Sequence, residues 1–496
     1  MEQVLTRLAR NIQHLGHPTE QISPAIYDSA YALLRRPAYE HHPATLQWLA
    51  SQQHDDGGWS DPHTPYARVV PTLAAVLALH HSQPHVYQSQ IERGLAFLRE
   101  AMPGEGTRPH DGIATASELL VPYLLAHATV QGLALPPPHP ELVQLGQRRR
   151  QRLIEASHAP GTPPLYCWEA WGTAPEARHV DAIGSVGNSP AATVAWLAAA
   201  QHRPELRAEV ARARRYLGAA SAATGNTVPG LLPNVWPIER YERAFGLYML
   251  DVAGLSYHPR LRRQITRQLD LLHQEVGPAG LGMSSEFIPD SDTTAAALTV
   301  LTRCSQRPVD LGALHTFRHR DHFATYHGEI QPSLTSTAHA LHALQSSGAP
   351  CDPALYDFVL NRQEPDGLWR VDKWNVRWTY ATSQVLLVLD PQRHAQPLHQ
   401  ALATICHKQH PAGGWGDGRA RREETAYLVL ALRHLLRRAP QQLGDTTLHA
   451  LRRAERWLAS THNTPTGPQD ASWMGKEIYH PSRLASLIEL AATLPT

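Results

Sequence analysis

The sequence predicts a nearly all-α chain assembled from helical repeats, and three observations carry that prediction. Ala/Leu-rich periodic segments recur at residues 73–79, 119–128, 191–200, 295–301, 385–389 and 426–436. Alternating β-branched runs, the mark of half-buried strands, are missing. Gln-x3-Gly-x-Trp occurs three times, as Gln53, Gly57 and Trp59, as Gln363, Gly367 and Trp369, and as Gln409, Gly413 and Trp415. Self-similarity of this kind marks stacked helix pairs, because one pair alone cannot bury its apolar face.

Taken in order, residues 1–16 give an amphipathic helix through Val4, Leu5, Leu8, Ile12 and Leu15. No continuous apolar core follows its charges, so it does not read as a signal peptide. Trp48 and Leu49 close the helical segment ahead of the first repeat, and Val70 to Ala74 opens the segment after it. Phe358 to Leu360 precedes the second copy, Ala403 to Ile405 precedes the third, and Ala426 to Leu430 follows the third. In each copy the glycine permits a tight turn after a helix, while the glutamine and indole lock neighbouring turns. An eroded fourth copy runs from Gln274 to Met283 without its tryptophan. It leads into Pro289-Asp290-Ser291-Asp292-Thr293-Thr294-Ala295, just ahead of the apolar run Ala296 to Leu301.

At 496 residues the chain should hold more than one compact unit, with interior enough for a ligand cavity. A net charge of +1 with 18% charged residues gives no electrostatic footprint for nucleic acid or an anionic membrane. No segment approaches the apolar length of a membrane span, so an integral membrane protein is not expected. The four cysteines are scattered without metal-ligand or disulfide spacing, which points to a reducing, cytoplasmic compartment. The 31 histidines include no pair with zinc-site spacing and a suitable Glu or Cys partner.

Asp290 and Asp292 stand two residues apart at the mouth of a buried helix. Asp, Ser and Thr are the ordinary residues of a helix start, so the tract also reads as a simple cap. Paired carboxylates in an apolar setting, however, hold a proton that one alone would lose near neutral pH. Protonation of an unactivated substrate requires that.

With the Gln/Trp repeats and several further stretches, this pair resembles the class II terpene cyclases. The nearest likeness is to the bacterial two-domain diterpene cyclases that make copalyl, kolavenyl or halimadienyl diphosphate. Pro24 to Tyr31 is similar to the family's Tyr-Asp-Thr-Ala-Trp element, and Ser117 to Pro122 to its Phe-Glu-x-x-x-Pro helix. Gly187 to Thr193 resembles a Ser-Pro-Ser-Ala-Thr element, and Pro237 to Arg243 the segment ending in Phe-Glu-Arg. Asp372-Lys373-Trp374-Asn375 with Trp378 to Thr382 resembles Asp-Lys-Trp-His followed by Tyr-Tyr-x-Thr. Glu423-Glu424-Thr425 and Trp473-Met474-Gly475-Lys476 also have counterparts. The family's usual acid motif is Asp-x-Asp-Asp-Thr-Ala. Thr293 replaces its last Asp, which bears on the hydrogen-bond support of the acid and not on the acid itself.

The resemblance implies two α-helical (α/α) barrels, a β domain of residues 1–22 and 233–496 and an inserted γ domain of residues 23–232. It makes Asp292 the general acid that protonates the terminal alkene of geranylgeranyl diphosphate, with Asp290 in support. Ring closure to a decalin then leaves the diphosphate in place. Trp374, Trp378, Tyr380 and Trp236 are candidates to stabilise the cations through their ring faces, followed by Tyr326, Trp168 and Trp171. His327 is a candidate for the final deprotonation. Lys373 and Lys476 are candidates for the diphosphate, and Asp111 and Glu118 for Mg²⁺, because hard cations favour carboxylate and phosphate oxygens. Each of these residues also reads as core packing or a surface ion pair.

The expected partner is a prenyl diphosphate substrate, with the product passed to a separate class I synthase or phosphatase; a homodimer is compatible with the family. Class I chemistry would need an Asp-Asp-x-x-Asp cluster, whereas Asp55-Asp56 belongs to a repeat turn. Two other readings stay open at this point: a drimenyl-type cyclase of farnesyl diphosphate, and a non-catalytic helical-repeat binding module.

Overall fold

The computed structural model describes residues 2–35, 42–104, 108–109, 113–305, 307–329, 331–370, 372–464 and 467–495. They form two compact units: Met1–His17 with Ile238–Thr466 and Ser482–Thr496, and Pro18–Pro237 with Gly467–Pro481. No helix among the described residues is long and apolar enough to cross a membrane.

In the first unit Glu239–Val252, Ser291–Cys304, Leu334–Ser347, Trp378–Val388, Arg422–Arg438 and Ser482–Thr493 pack each on the next. The last of them returns to the first and closes a ring. Glu2–Gln13, Arg262–Glu275, Pro353–Leu360, Ala395–His407 and Asp445–Thr461 lie around it. Burial explains the sorting. Every residue from Leu334 to Leu344 and from Trp378 to Val388 is buried, as an interior helix requires. Arg262–Glu275 instead buries one stripe, Ile265, Gln268, Leu269 and Leu272, and turns the rest to solvent.

The second unit repeats the plan with Ile26–Leu34, Val69–Ser82, Ser117–Val130, Trp168–Trp171 and Pro190–Ala200 as its closed inner set. His42–Ser51, Gln88–Ala101, Pro140–Glu155 and Arg207–Ala223 pack outside them. Its boundaries differ from the sequence expectation, which placed all of residues 233–496 in the other domain. Residues 467–481, with the antiparallel pair Trp473–Met474 and Ile478–Tyr479, belong here. The reason is a cap: the Glu477 carboxylate accepts from Ile26 N at 2.7 Å and Tyr27 N at 2.8 Å, satisfying the open start of that helix. Residues 18–22 follow the same unit, with Gln21 N donating to Ala223 O at 2.9 Å.

The three Gln/Trp turns are built alike. Gln53, Gln363 and Gln409 each donate Nε2 twice: to the carbonyl of the turn glycine at 2.9, 2.8 and 2.6 Å, and to an outer helix carbonyl at 2.8, 2.8 and 2.7 Å. Trp59, Trp369 and Trp415 each donate Nε1 to the preceding helix at 2.8 Å. Their backbone N–H groups bond Thr72, Thr382 and Thr425 in the next inner helix at 3.0, 3.1 and 2.8 Å. The glycines are required twice over. Gly57, Gly367 and Gly413 have φ of 86°, 88° and 109°, and a Cβ on Gly57 would lie 2.3 Å from Arg93 O.

Candidate active site

The eroded fourth turn sets the acidic tract. Leu281 stands where the other copies have tryptophan, and its N–H bonds Thr294 Oγ1 at 2.9 Å across the same 13-residue span as Trp59 to Thr72. Asp290 N donates to Leu281 O at 3.1 Å and Ser291 N to Thr325 O at 2.9 Å. Asp290 is the N-cap of Ser291–Cys304 and accepts from Thr293 N at 2.7 Å. Burial pushes its carboxyl up to about 8; the charge of Asp292 adds to the rise and the Thr293 N–H opposes it. Asp290 thus fixes the helix start on which Asp292 stands, with one of its own oxygens spent on the cap.

Hydrogen-bond support for Asp292 comes from a residue outside the motif. Asp292 Oδ1 lies 2.6 Å from His339 Nδ1, and His339 Nε2 lies 3.0 Å from Gln384 Oε1. The three stand on consecutive inner helices, Ser291–Cys304, Leu334–Ser347 and Trp378–Val388. Burial, the largest influence on the imidazole, disfavours its charge. The charge of Asp292 and the bonds to Asp292 and Gln384 outweigh it and raise the His339 pKa. The His339 side chain is 1% exposed and that of Asp292 11%, so the pair is closed on the histidine side and less covered at the acid. Asp292 Oδ2 makes no hydrogen bond among the described residues.

Aromatic rings surround this pair. Phe245 and Tyr248 set their rings 5.3 and 5.5 Å from His339, and Tyr380 lies 6.5 Å from it. Tyr427 stands edge-on to Tyr380 at 4.9 Å, and Tyr241 lies 4.7 Å from Phe245. Of the four residues expected to stabilise cations, Tyr380 is the one that meets the Asp292–His339 pair through a ring contact. Trp378 is buried at the first turn of the same helix. Trp374 Nε1 donates to Thr325 Oγ1 at 2.9 Å, and its ring packs edge-on to Tyr326 at 6.2 Å. The Lys373 ammonium sits 5.3 Å from the Trp374 ring, so a resident cation already uses that face. Trp236 belongs to the second unit, against Tyr216 at 5.5 Å; Trp168 and Trp171 are buried there too. His327 is exposed and stacked on Phe317 at 4.4 Å, which places the expected base at the surface.

The two lysines are already engaged. Lys373 Nζ pairs with Glu329 at 2.7 Å and donates to Gln331 O at 3.0 Å. Lys476 is fully buried in the second unit, 2.5 Å from Glu169 and 2.6 Å from Ser189 Oγ. Both arrangements hold loops in place and leave little of either ammonium for a phosphate. Glu118 pairs with Arg149 at 2.7 Å, and Asp111 lies outside the described residues. Among the described residues no group of three or more His, Cys, Asp or Glu side chains is placed to hold a metal ion.

Asp372 is the second acid that the first unit buries near Asp292. It accepts from Leu334 N at 2.9 Å, Thr335 Oγ1 at 2.6 Å and Ser333 Oγ at 3.0 Å, and so ties its turn to the start of Leu334–Ser347. Burial raises its pKa and the charge of Asp292 adds to the rise. His339 and Gln384 were not among the residues expected from sequence. Their one sequence signal is a large polar side chain among mostly small and apolar residues, in stretches that the structure buries from Leu334 to Leu344 and from Trp378 to Val388.

The sequence profile of the prenyltransferase alpha-alpha toroid domain matches residues 26–111 and 249–469. The solved ent-copalyl diphosphate synthase of Streptomyces platensis superposes with a TM-score of 0.80 over 99% of each chain, at 27% identity. The (+)-kolavenyl diphosphate synthase of Herpetosiphon aurantiacus is 38% identical over 97% of this chain and 95% of its own. An ent-copalyl diphosphate synthase from a Streptomyces species is 30% identical over 95% of this chain and 91% of its own. Closed helical rings with repeated Gln/Trp turns define an α/α toroid protein. Within that class the chain belongs to the bacterial class II diterpene cyclases.

Proposed function

We propose that the protein protonates the terminal alkene of geranylgeranyl diphosphate and closes it to a bicyclic, decalin-type diterpenyl diphosphate with the diphosphate retained. Kolavenyl diphosphate and its copalyl and halimadienyl relatives are the products this reading favours, given the 38% identity to a kolavenyl diphosphate synthase. The observation that carries it is Asp292, buried and bonded on one oxygen to His339, whose ring packs against Phe245, Tyr248 and Tyr380.

With His339 donating to Oδ1, the reactive proton sits on Oδ2. The Oδ2–H bond breaks, the alkene π pair forms the new C–H bond, and the positive charge moves to carbon. The carboxylate left behind stays paired with the imidazolium, which lowers the cost of releasing the proton. Rings without a nucleophilic lone pair at the cation attract it by roughly 0.5–2 kcal/mol per contact. Apolar walls keep water from trapping it. Loss of a proton ends the cascade and restores the proton count.

Mg²⁺ belongs to this reading as an ion held by one or two carboxylates together with the substrate diphosphate, with Glu118, paired with Arg149, as one candidate. Dependence on the ion is read by repeating the assay in EDTA. The purified protein is incubated with geranylgeranyl diphosphate or farnesyl diphosphate, treated with phosphatase, and the alcohols are analysed by gas chromatography–mass spectrometry. A bicyclic C20 alcohol that vanishes in Asp292→Ala is the expected result. A bicyclic C15 alcohol in its place would move the reading to a drimenyl-type cyclase. Unchanged behaviour of Asp292→Ala would point to a binding module.

A further inference from the structure

Gln384 belongs to none of the sequence motifs, yet it faces the far nitrogen of His339. Its Oε1 lies 3.0 Å from His339 Nε2, and its amide nitrogen donates to Ser383 Oγ at 3.0 Å. Ser383 Oγ in turn donates to the Tyr380 carbonyl at 2.7 Å. A hydroxyl that gives its single proton to a carbonyl can only accept from its other neighbour. The amide nitrogen of Gln384 therefore turns to Ser383 and its oxygen to His339. Turning the amide over would set its oxygen against the Ser383 lone pairs, or force Ser383 to abandon the carbonyl.

His339 consequently has an oxygen against each ring nitrogen, Asp292 Oδ1 at 2.6 Å and Gln384 Oε1 at 3.0 Å. That is housing for an imidazole with two protons. We propose that Gln384, oriented by Ser383, is a positioning residue that holds His339 doubly protonated and so fixes the reactive proton on Asp292 Oδ2. Without the oxygen acceptor, a neutral His339 with a bare Nδ1 would draw that proton onto Oδ1, away from the alkene. The inference rests on the reading of Asp292 as proton donor. The titratable groups that face His339 are Asp292 from Ser291–Cys304, Asp372 from the turn ahead of Trp378–Val388, and Tyr248 from Glu239–Val252. Tyr380 faces it from Trp378–Val388, and His342 lies on its own helix.

The test is the pH profile of kcat with geranylgeranyl diphosphate from about pH 5.5 to about pH 9, on the full chain. Wild type should lose activity as pH rises through the His339 pKa. Gln384→Leu removes the acceptor at similar volume. It should cut kcat roughly 10- to 100-fold, the worth of a hydrogen bond to a charged group. It should also move the alkaline limb down by about one pH unit. Gln384→Glu keeps the acceptor and adds charge, so its limb should move up. Ser383→Ala frees the amide to turn over and should move the limb in the direction of Gln384→Leu, which keeps the test open if the leucine variant fails to fold. A fall in kcat with the limb unmoved in all three variants overturns the proposal while leaving Asp292 as the acid. Absence of any cyclised product from wild type overturns the underlying reading, and this inference with it.

Discussion

At Asp292 the controlling contact is with a residue 47 positions away, and one atom decides what that contact does. His339→Phe keeps a ring against Phe245 and Tyr248 but removes the nitrogen that faces Asp292 Oδ1. Product formation should fall at least about 100-fold, the lower range for loss of a general acid–base group, with the far-ultraviolet circular dichroism spectrum retained. A variant that turns over at the wild-type rate would remove His339 from the mechanism. The position of the pair was legible in the sequence, because two Asp residues ahead of an apolar run mark the start of a buried helix, and the structure has Asp290 as N-cap and Asp292 in the first turn. His339 was not legible. It is one of 31 histidines, and no local spacing ties it to Asp292; only the packing of consecutive inner helices brings the two together. The partners of Lys373 and Lys476 were hidden for a related reason. Composition reveals a cation but not the Glu329 or Glu169 that neutralises it.

The Gln/Trp turn is the element that gives the rings their regularity. Gly367 has φ of 88°, and a Cβ there would meet the Gln400 backbone carbon at 2.7 Å. Gly367→Ala should therefore destabilise the fold by about 1–3 kcal/mol, the cost of a strained left-handed residue. Gly218 lies inside the helix Arg207–Ala223, and a Cβ there meets nothing within 4 Å. Gly218→Ala should instead stabilise by up to about 1 kcal/mol. Chemical denaturation of both variants checks the pair; equal effects would mean that the turn carries no special constraint. The three complete turns were legible because glutamine, glycine and tryptophan recur at fixed offsets. The fourth was legible only as an erosion: Leu281 keeps the backbone bond to Thr294 Oγ1 that the tryptophans of the other copies also make, a donor that sequence cannot display, and lacks the indole bond. The strands Trp473–Met474 and Ile478–Tyr479 are two residues each, too short for an alternation to register.

For the whole molecule, buried carboxyls set the response to pH. Burial raises Asp290 and Glu477 to about 8, and Asp28 and Glu424 to about 7, across both units. A carboxyl raised above its unfolded value adds stability that is full below that unfolded value and lost as pH climbs through the folded one. His339, also raised, acts with the same sign. His434, which burial lowers to about 3, acts the other way, chiefly below the ordinary histidine pKa. The melting temperature should therefore fall between about pH 6.5 and about pH 8.5, where the neutral histidines no longer contribute. Asp290→Asn keeps an acceptor for Thr293 N and should flatten that fall. A melting temperature that is level or rising over this window would contradict the assignment of these carboxyls.

Ring closure has a consequence for the order of events during synthesis. The Ser482–Thr493 helix, which joins Arg422–Arg438 back to Glu239–Val252, is translated after every other helix of its ring. Until it leaves the ribosome, the nascent ring stands open with two apolar helix faces uncovered, the kind of surface that chaperones bind and that aggregates form from. The residues that complete the second unit, Gly467–Pro481, are translated just before it, so both units reach their final packing within one short stretch of elongation.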